Sequence, residues 1–588
     1  MNNEDIILLL RHMIASYSVL DDAKHRFQII AYQKAADAID SSSIQVKDLL
    51  KEDRLEELPG IGPSLQAYLK ELIETGKVEH FEKVLSKLPS AMFPLLDIPS
   101  FGPKKSFRIV TEFGLTDPKT VMKDVEKLAL ENKIAPLTGF GEKSQSDILR
   151  ALSEYKKGVT KTSRMALPLA GDIADQVLTH MNKCNKVITI STLGSLRRQK
   201  ETIGDVDLAV ATYHPREVLD HFVNYPYLER IIEKGDASAS ILVSGGKHID
   251  LMVQPPEAFG SLLQHFTGSK EHNVKLREYA LKKGLSLSEY GIRRKDDHEK
   301  LHMYDTEEKF YKALDIAWIP PEIRENTGEI ELAMKNSLPK LIELADIKGD
   351  FHIHSNFRIE PSHDLGISPM EEMLSQAKAF KYDYLGFSEH NPSHSKHTSK
   401  EIYAILSKRK DKIDQLQKSN KSIRIFSLLE TDILPNGDLA IDEDALSLLD
   451  ATIVSVHSVF TLSKTDMTKR VLKGLSHKKA KILAHPTGRL LNQRNGYDLD
   501  WNEIFAFCVS ENKALEINSA PSRLDLSDQL VRMAVNAGVK MFINTDSHAT
   551  DQMQLMKYGV GVARRGWATK DDILNSLRYN DLRDWFSK

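Results

Sequence analysis

The stretch that decides the fold reads Leu193-Gly-Ser-Leu-Arg-Arg-Gln-Lys-Glu-Thr-Ile-Gly-Asp-Val-Asp-Leu-Ala-Val210. An apolar strand over 187–193 stops at Gly194-Ser195, and Gly204 releases a second strand that begins Asp205-Val206-Asp207. Because side chains alternate along a strand, Asp205 and Asp207 project from one face and repel each other unless a cation lies between them. The pair is either a Mg²⁺ site for nucleotidyl transfer or a solvated strand end, since the D-x-D pattern is common at strand termini.

Length and composition set the broad class of the protein. The 588 residues exceed what one hydrophobic core supports, so about three to five domains are expected. Lys+Arg 80 against Asp+Glu 83 leaves a net charge of −3, which neither indicates nor excludes nucleic acid. Cys184 and Cys508 lie far apart and offer no disulfide framework. No stretch approaches the roughly 20 apolar residues of a membrane span, so we expect a soluble cytoplasmic protein.

A Gly-x-Gly theme recurs in the helical region 2–160, at residues 58–65, 98–105 and 137–144, each time before a helical run. Glycines two apart allow a tight turn whose outward N–H groups bind a phosphate without reading a base. One copy alone is more often a helix–helix turn, but copies spaced about 40 residues apart favour phosphate binding, and they resemble the helix-hairpin-helix motifs that contact the DNA backbone. The second copy has Ser100 in place of its first glycine. The predicted backbone contacts are Gly60, Gly62, Gly102, Gly139 and Gly141.

A third acid lies on a later apolar strand, Ile249-Asp-Leu-Met-Val253. An aspartate inside such a run is costly to bury without a partner. Asp250 would complete an oxygen-rich cage with Asp205 and Asp207, suited to Mg²⁺ or Mn²⁺. The alternative for Asp250 is a strand-end residue that faces water.

Four motifs, GSLRRQKETIGDVD, HIDLMV, HFTGSKEHN and LSEYGI, resemble the family X DNA polymerases in order and spacing, and the hairpins fall where that family grips DNA. The resemblance covers roughly residues 1–320. It implies that Asp205, Asp207 and Asp250 are catalytic and hold a pair of Mg²⁺ or Mn²⁺ ions. It also implies nucleotide contacts from Gly194, Ser195, Arg198, Gly204, His265, Phe266, Gly268 and Asn273. His265 replaces the family's tyrosine at the wall that excludes a ribose 2′-hydroxyl, so we expect weaker rejection of ribonucleotides.

From residue 348 onward, apolar strands repeatedly end in a histidine or an acid and are followed by helical stretches. This alternation indicates a closed parallel barrel with its chemistry at the carboxyl ends of the strands. Each histidine alone is more often a core or surface residue, but the set at corresponding strand ends indicates a multinuclear metal site. The set consists of His352, His354, His390, Glu430, His457, His485, Asp546 and His548.

This half is similar to the polymerase-and-histidinol-phosphatase (PHP) family, and HPTGRLL and DSHATDQ match the version fused to bacterial and archaeal family X polymerases. The resemblance implies that the set above holds about three Mn²⁺, Zn²⁺ or Fe²⁺ ions. A further family ligand comes from a turn that is lengthened here; Asp364 is our choice for it and Glu360 the alternative. The fusion implies 3′→5′ exonuclease activity or other 3′-end processing.

The sequence thus predicts a multidomain chain with α-helical N-terminal helix-hairpin-helix domains, an α/β nucleotidyltransferase palm and thumb, and a C-terminal (βα)7 PHP barrel. The expected boundaries are 1–88 and 89–160 for the helical domains, 161–257 for the palm, 258–320 for the nucleotide-contacting subdomain, 321–345 for a linker and 346–588 for the PHP domain. We expect a monomeric DNA polymerase that fills short gaps in repair, with gapped or primer-template DNA and dNTPs as partners and no membrane. The alternatives are a metal-dependent phosphoesterase with a DNA-binding N-terminal half, and a nucleotidyltransferase that does not act on DNA.

Overall fold

The computed structural model describes the chain apart from residues 2, 22–23, 41–45, 52–53, 59–60, 99–100, 139, 157–163, 244–246, 296–297, 299, 461, 492–495 and 588. It divides into two compact units, Met1–Ser163 and Arg164–Lys588. Among the described helices, none is both long enough and apolar enough to cross a bilayer.

The first unit is built from helices, as its sequence predicts. One core forms around Leu10 and Leu69, and a second around Leu95 and Val125. Apolar side chains three and four residues apart supply both cores, which explains the helical periodicity of this region. The described helices are Asn3–Asp21, Arg26–Asp40, Val46–Lys51, Pro63–Thr75, Glu79–Leu85, Met92–Leu95, Pro103–Glu112, Val121–Leu130 and Glu142–Lys156.

Two of the hairpin helices begin in the same way. Gly62 and Gly102 are extended N-cap residues, and each is followed by a proline at the first helical position. A backbone N–H at the first helical position has no partner within the helix, so proline, which lacks that N–H, loses no hydrogen bond there. The glycine and the proline together fix the start of the helix.

A five-stranded sheet forms the first part of the second unit. Its strands lie in the order Thr189–Thr192, Val206–Ala211, Lys247–Gln254, Ser238–Val243 and Leu228–Lys234. The second and third strands in this order are parallel, and the other pairs are antiparallel.

Each face of this sheet is covered by helices. Leu167–Met181 and Pro215–Phe222 share a core with Leu208 and Val210 on one face. On the other face, Phe259–Thr267 packs against residues of odd number in the same strand, Ala209 and Ala211. Alternation along the strand therefore assigns odd-numbered Asp207 to the second face, beyond the part that the helix covers.

A smaller subdomain follows the sheet, and its core centres on Phe310 and Tyr311. Its helices, including the one that follows the subdomain, are Phe259–Thr267, Lys270–Lys282, Glu307–Ala313 and Glu329–Met334. Its antiparallel strands are Leu285–Ser288, Gly291–Arg294 and Leu301–His302. Buried Glu307 accepts from Arg197 at 2.7 Å and from Arg324 at 2.6 Å. This ion network ties the subdomain to the short helix Gly194–Arg197.

Two parallel sheets make up the C-terminal half. One contains Gly349–Asp350, Tyr384–Phe387 and Arg424–Ser427, and the other contains Glu430–Asp432, Thr452–Ser455, Ala480–Leu483, Ala514–Asn518 and Lys540–Asn544. Parallel bridges pair His390 with Glu430 and Ile353 with Ser547. The apolar run that leads to Glu430 is divided after Ser427, where the chain passes from one sheet to the other.

Helices alternate with these strands, as the sequence predicts for a parallel α/β arrangement. The longer ones are Met370–Ala379, Ser399–Ser419, Lys464–Leu475, Trp501–Ser510, Asp528–Ala537, Met556–Arg565 and Tyr579–Ser587, and Glu443–Ser447 is shorter.

Candidate metal centres

The three aspartates of the first predicted site lie at one end of the five-stranded sheet. Asp207 and Asp250 are register partners on the parallel strands Val206–Ala211 and Lys247–Gln254, and Asp205 immediately precedes the first of these strands. Leu208 and Leu251 enter the core beneath the sheet, so alternation places Asp207 and Asp250 together on the opposite face.

Negative charge is crowded at this site. Burial, reinforced by the charges of Asp250 and Asp205, raises the pKa of Asp207 to about 7, while Arg198 acts in the opposite direction. Burial also raises the pKa of Asp205, with His248 opposing the shift and Asp250 adding to it. Since a divalent cation relieves such repulsion and carboxylate oxygens are the ligands that Mg²⁺ and Mn²⁺ prefer, the donor set fits these ions.

The predicted nucleotide-binding turn lies directly against these aspartates. Gly194 has a left-handed backbone, with φ 55°, and a Cβ added there would lie 2.2 Å from Oδ2 of Asp207. Only glycine fits this close approach. Ser195 follows it in the short helix Gly194–Arg197, and Gly204 lies just before Asp205, so the turn and the aspartates form one site.

Arg198 connects this turn to the predicted nucleotide motif 265–273. Its Nη1 donates to the backbone O of Thr267 at 2.5 Å, and its Nε donates to Oε1 of Glu325 at 3.0 Å. A Cβ added at Gly268 would lie 3.2 Å from Arg198 Nη1. The structure therefore brings Arg198 and Gly268 together, although the sequence separates them.

The remaining nucleotide-motif residues lie around the end of the helix Phe259–Thr267. Asn273 Nδ2 donates to the backbone O of His265 at 2.6 Å, and Asn273 Oδ1 accepts from Gln264 at 2.9 Å. These bonds fix the peptide group at His265. Phe266 is half-buried beside the core that contains Leu262.

Glu430 lies at the centre of the second predicted site. Its Oε2 is 3.1 Å from His352 Nε2 and 2.9 Å from His390 Nδ1. Its Oε1 is 2.9 Å from His485 Nε2 and 3.4 Å from His457 Nε2. One buried carboxylate therefore faces imidazoles from four different parts of the chain.

Two further carboxylates close the cluster. Asp546 Oδ1 is 3.1 Å from His354 Nε2. Asp364 is 2.9 Å from His390 Nε2 through Oδ1 and 3.2 Å from His548 Nε2 through Oδ2. Glu360, the alternative to Asp364, instead lies 3.2 Å from His397 Nε2. The geometry thus places Asp364, and not Glu360, among the candidate ligands.

Several buried atoms of this cluster lack a well-formed hydrogen bond among the described residues: His352 Nε2, His354 Nε2, His390 Nδ1, His548 Nε2 and Glu430 Oε2. Burial lowers the pKa of His354 and of His485 to about 4, which leaves lone pairs on neutral rings. Although burial opposes the shift, the charges of His390 and His352 hold the pKa of Glu430 well below its usual range. Converging imidazole nitrogens and carboxylates fit Zn²⁺, Mn²⁺ or Fe²⁺.

Two acids that the sequence analysis did not select orient these histidines. Glu516 Oε1 accepts from His352 Nδ1, and Asp432 Oδ1 accepts from His457 Nδ1, each at 2.7 Å. A carboxylate on one ring nitrogen fixes the tautomer and aims the other nitrogen at a metal. Their sequence signal is an acid on a strand that ends in the cluster, Glu516 within Ala514–Asn518 and Asp432 two residues after Glu430.

Comparisons with known proteins decide between the alternatives. A helix-hairpin-helix domain profile matches residues 1–78, and a DNA polymerase beta thumb profile matches residues 262–325. The chain is 34% identical to the DNA polymerase/3′-5′ exonuclease PolX of Bacillus subtilis over 590 residues, which cover 100% of both proteins. This chain belongs to the PolX family of family X DNA polymerases.

More distant relatives match about half of this PolX-family chain. DNA polymerase lambda of rat is 22% identical over 303 residues, which cover 48% of both proteins. DNA polymerase lambda of Arabidopsis thaliana is 24% identical over 317 residues, which cover 49% of this chain and 54% of the relative. The Bacillus subtilis relative is named as both a polymerase and a 3′-5′ exonuclease, and this chain has one candidate centre for each of these activities.

The glycines predicted to contact the DNA backbone lie in the first compact unit. A Cβ added at Gly62, Gly102 or Gly141 would meet nothing within 4 Å, so these turns present open backbone. Gly60 and Gly139 lie outside the described residues. Lys105 places its ammonium 5.8 Å from the Phe101 ring and 5.9 Å from the Phe140 ring, which brings the second and third hairpins close together.

Proposed function

We propose that this PolX-family chain fills short gaps in DNA by template-directed addition of dNTPs and trims 3′ ends at its PHP domain. The observation that carries the proposal is a pair of distinct donor sets in one compact unit. One set is the register-paired Asp207 and Asp250 beside Gly194, and the other is the buried histidine cluster around Glu430. A phosphoesterase with a DNA-binding half leaves the aspartate set unexplained, and a nucleotidyltransferase for other substrates leaves the hairpins unexplained.

At the polymerase site, Asp205 and Asp207 would hold a pair of Mg²⁺ or Mn²⁺ ions, and Asp250 would hold the ion next to the primer end. When bound, these ions neutralise phosphate charge and lower the pKa of the primer 3′-hydroxyl. Gly194 allows the triphosphate close to the backbone, and the Ser195 hydroxyl and the Arg198 guanidinium donate to its oxygens. Asp250 can accept the 3′-hydroxyl proton while the new phosphodiester bond forms and pyrophosphate leaves.

At the PHP site, the ligands would be His352, His354, Asp364, His390, Glu430, His457, His485, Asp546 and His548. When bound, about three Mn²⁺, Zn²⁺ or Fe²⁺ ions activate water and neutralise a phosphodiester for hydrolysis. Glu516 and Asp432 keep the His352 and His457 rings aimed at the centre of the cluster. Asp364 is largely exposed on its loop, so it would complete the ligand set from the side that faces solvent.

The proposal extends to the C-terminal fold and to the way the N-terminal hairpins bind DNA. We propose that the two C-terminal sheets form one closed (βα)7 barrel; the bridges of His390 to Glu430 and of Ile353 to Ser547 support it. The hairpins at Gly62, Gly102 and Gly141 would bind the DNA backbone without reading sequence. The proposed boundary at residue 160 is close to the division between the compact units after Ser163. We propose that the chain acts as a monomer.

A labelled primer on a one-nucleotide gap tests both activities of the full-length chain at once. With dNTPs and Mg²⁺ or Mn²⁺ we expect extension by one nucleotide, and without dNTPs and with Mn²⁺ we expect shortening from the 3′ end. Chelation by EDTA should stop both reactions. Extension that does not depend on the template base, or a primer that is never shortened, would overturn the corresponding half of the proposal.

His265 gives a prediction about sugar selectivity. Its peptide group is fixed by Asn273, but its imidazole is smaller than the phenol that the family places there, so the wall against a 2′-hydroxyl is weaker. We expect measurable ribonucleotide insertion by the natural chain, and about 10-fold higher dNTP-over-rNTP selectivity in His265→Tyr. Selectivity is measured as the ratio of kcat/KM values. His214→Tyr, at an exposed histidine that pairs with Glu217, should change nothing; very high selectivity in the natural chain would contradict the prediction.

A further inference from the structure

The helix Met556–Arg565 of the C-terminal domain ends against the loop 198–201, which follows the short helix Gly194–Arg197 of the polymerase site. Arg565 Nη1 donates to the backbone O of Arg198 at 2.8 Å and to Oε1 of Glu325 at 3.0 Å. The same oxygen of Glu325 accepts from Arg198 Nε at 3.0 Å. Arg565 therefore contacts the backbone of Arg198 directly, and it contacts the Arg198 side chain indirectly through Glu325.

This arrangement is buried and rigid. Arg565 is 3% exposed, and its Nε donates to Oδ2 of Asp528 at 2.8 Å. Although burial opposes the shift, the charges of Arg565, Lys200 and Arg198 hold the pKa of Glu325 at about 2. A buried carboxylate shared by two guanidinium groups has few orientations open to it, and removal of one partner leaves the others uncompensated.

The C-terminal domain also contacts the residues that follow Arg198. A Cβ added at Gly561 would lie 2.9 Å from Gln199 Oε1. Arg489 Nη2 donates to Glu201 Oε2 at 2.6 Å, and Arg489 Nε donates to the backbone O of Arg523 at 3.0 Å. The loop 198–201 is thus held along its length by the domain that carries the histidine cluster.

The Arg198 side chain faces the polymerase site. It lies beside Gly268, and its charge lowers the pKa of Asp207. Its Nε and Nη1 are used by Glu325 and Thr267, whereas its Nη2 has no hydrogen-bond partner among the described residues. The Nη2 N–H groups are therefore the ones that remain for phosphate oxygens.

We propose that Arg565 is a positioning residue for the polymerase: through Glu325 it sets the orientation in which Arg198 meets the dNTP triphosphate. The inference rests on the proposed role of Arg198 in nucleotide binding. It makes the PHP domain a structural part of the nucleotide site, in addition to its own hydrolytic chemistry.

Arg565→Met and Arg565→Lys in the full-length chain test this role by steady-state filling of a one-nucleotide gap. We expect the KM for dNTP to rise about 10-fold in the Met variant and less in the Lys variant, which keeps a charge. The change in kcat should be smaller than the change in KM, and Mn²⁺-dependent 3′ shortening should be unchanged. Arg564→Met is the matched control, since Arg564 precedes Arg565 in the same helix but pairs with Glu322 and the backbone O of Ile342. The KM of this variant for dNTP should equal that of the natural chain.

A double-mutant cycle with Arg198→Ala separates positioning from general damage. If Arg565 acts through Arg198, Arg565→Met should add little to the KM of Arg198→Ala. The positioning role of Arg565 would be overturned by an unchanged KM in Arg565→Met, by full additivity in the cycle, or by a parallel loss of 3′ shortening. None of these results would overturn the proposed polymerase function. A natural KM in Arg198→Ala would overturn the nucleotide-binding role of Arg198 itself.

Discussion

Asp250→Ala should lower primer extension by about 10³-fold or more while the 3′-shortening activity of the same protein stays near its natural rate. Asp250 is the register partner of Asp207, and its carboxylate is the one we assign to the ion beside the primer end. Its loss removes a ligand and also the group placed to accept the 3′-hydroxyl proton. Single-turnover extension on a one-nucleotide gap measures the effect.

Two companion variants make this result specific. Asp250→Asn keeps an oxygen that can accept from Ser240, the present partner of Asp250, so a comparable loss in that variant would assign the effect to charge. Asp220→Ala removes an exposed carboxylate that pairs with Lys234 elsewhere in the same domain and should leave extension unchanged. Persistent extension in Asp250→Ala would exclude the aspartate set as the polymerase centre.

Sequence patterns predict the three aspartates of the polymerase centre but not how they are brought together in space. Alternation within one strand predicts that Asp205 and Asp207 lie on one face. The pairing of Asp207 with Asp250 depends on the register of two strands that are parallel neighbours, although residues 212–246 separate them in sequence. Register follows from how the whole sheet packs against its helices, so it cannot be read from either strand alone.

In the histidine cluster, too, the sequence predicts most of the residues but not the contacts between them. The histidines at strand ends predict a metal cluster, because parallel strands bring their carboxyl ends to one edge. Asp364 and Glu360 lie on the same irregular loop, and only the path of that loop directs Asp364 to His390 and His548 and Glu360 to His397. An acid within the strand Ala514–Asn518 marks Glu516 as a candidate, but the strand alone does not show which ring nitrogen its carboxylate contacts.

Contacts between domains were the least predictable feature. Arg565 and Glu325 belong to no motif that the sequence analysis selected, and a buried arginine has the same sequence signature as an exposed one. Their meeting at Arg198 depends on the packing of the C-terminal domain against the palm, where side chains of both share one core. Buried charge pairs of this kind are seen only when the structure brings their partners together.

His352→Ala combined with His354→Ala should abolish Mn²⁺-dependent 3′ shortening, by about 10³-fold or more, and leave primer extension intact. Both rings converge on Glu430 and Asp546, so their loss removes ligands from the centre of the cluster rather than from its edge. Bound metal, measured by mass spectrometry of the purified protein, should fall together with the activity. His477→Ala, at a histidine that pairs with Glu443 outside the cluster, is the control for folding.

The loop carboxylates then show how far the ligand set extends. Asp364 contacts His390 and His548, so Asp364→Asn should lower both the 3′-shortening rate and the metal content. The loss should be smaller than in the double variant, because only one ligand at the rim of the cluster is changed. Glu360→Gln, on the same loop but paired with His397, should change neither. The opposite ranking of these two variants would assign the ligand to Glu360, and shortening that survives the loss of both His352 and His354 would place the exonuclease outside this cluster.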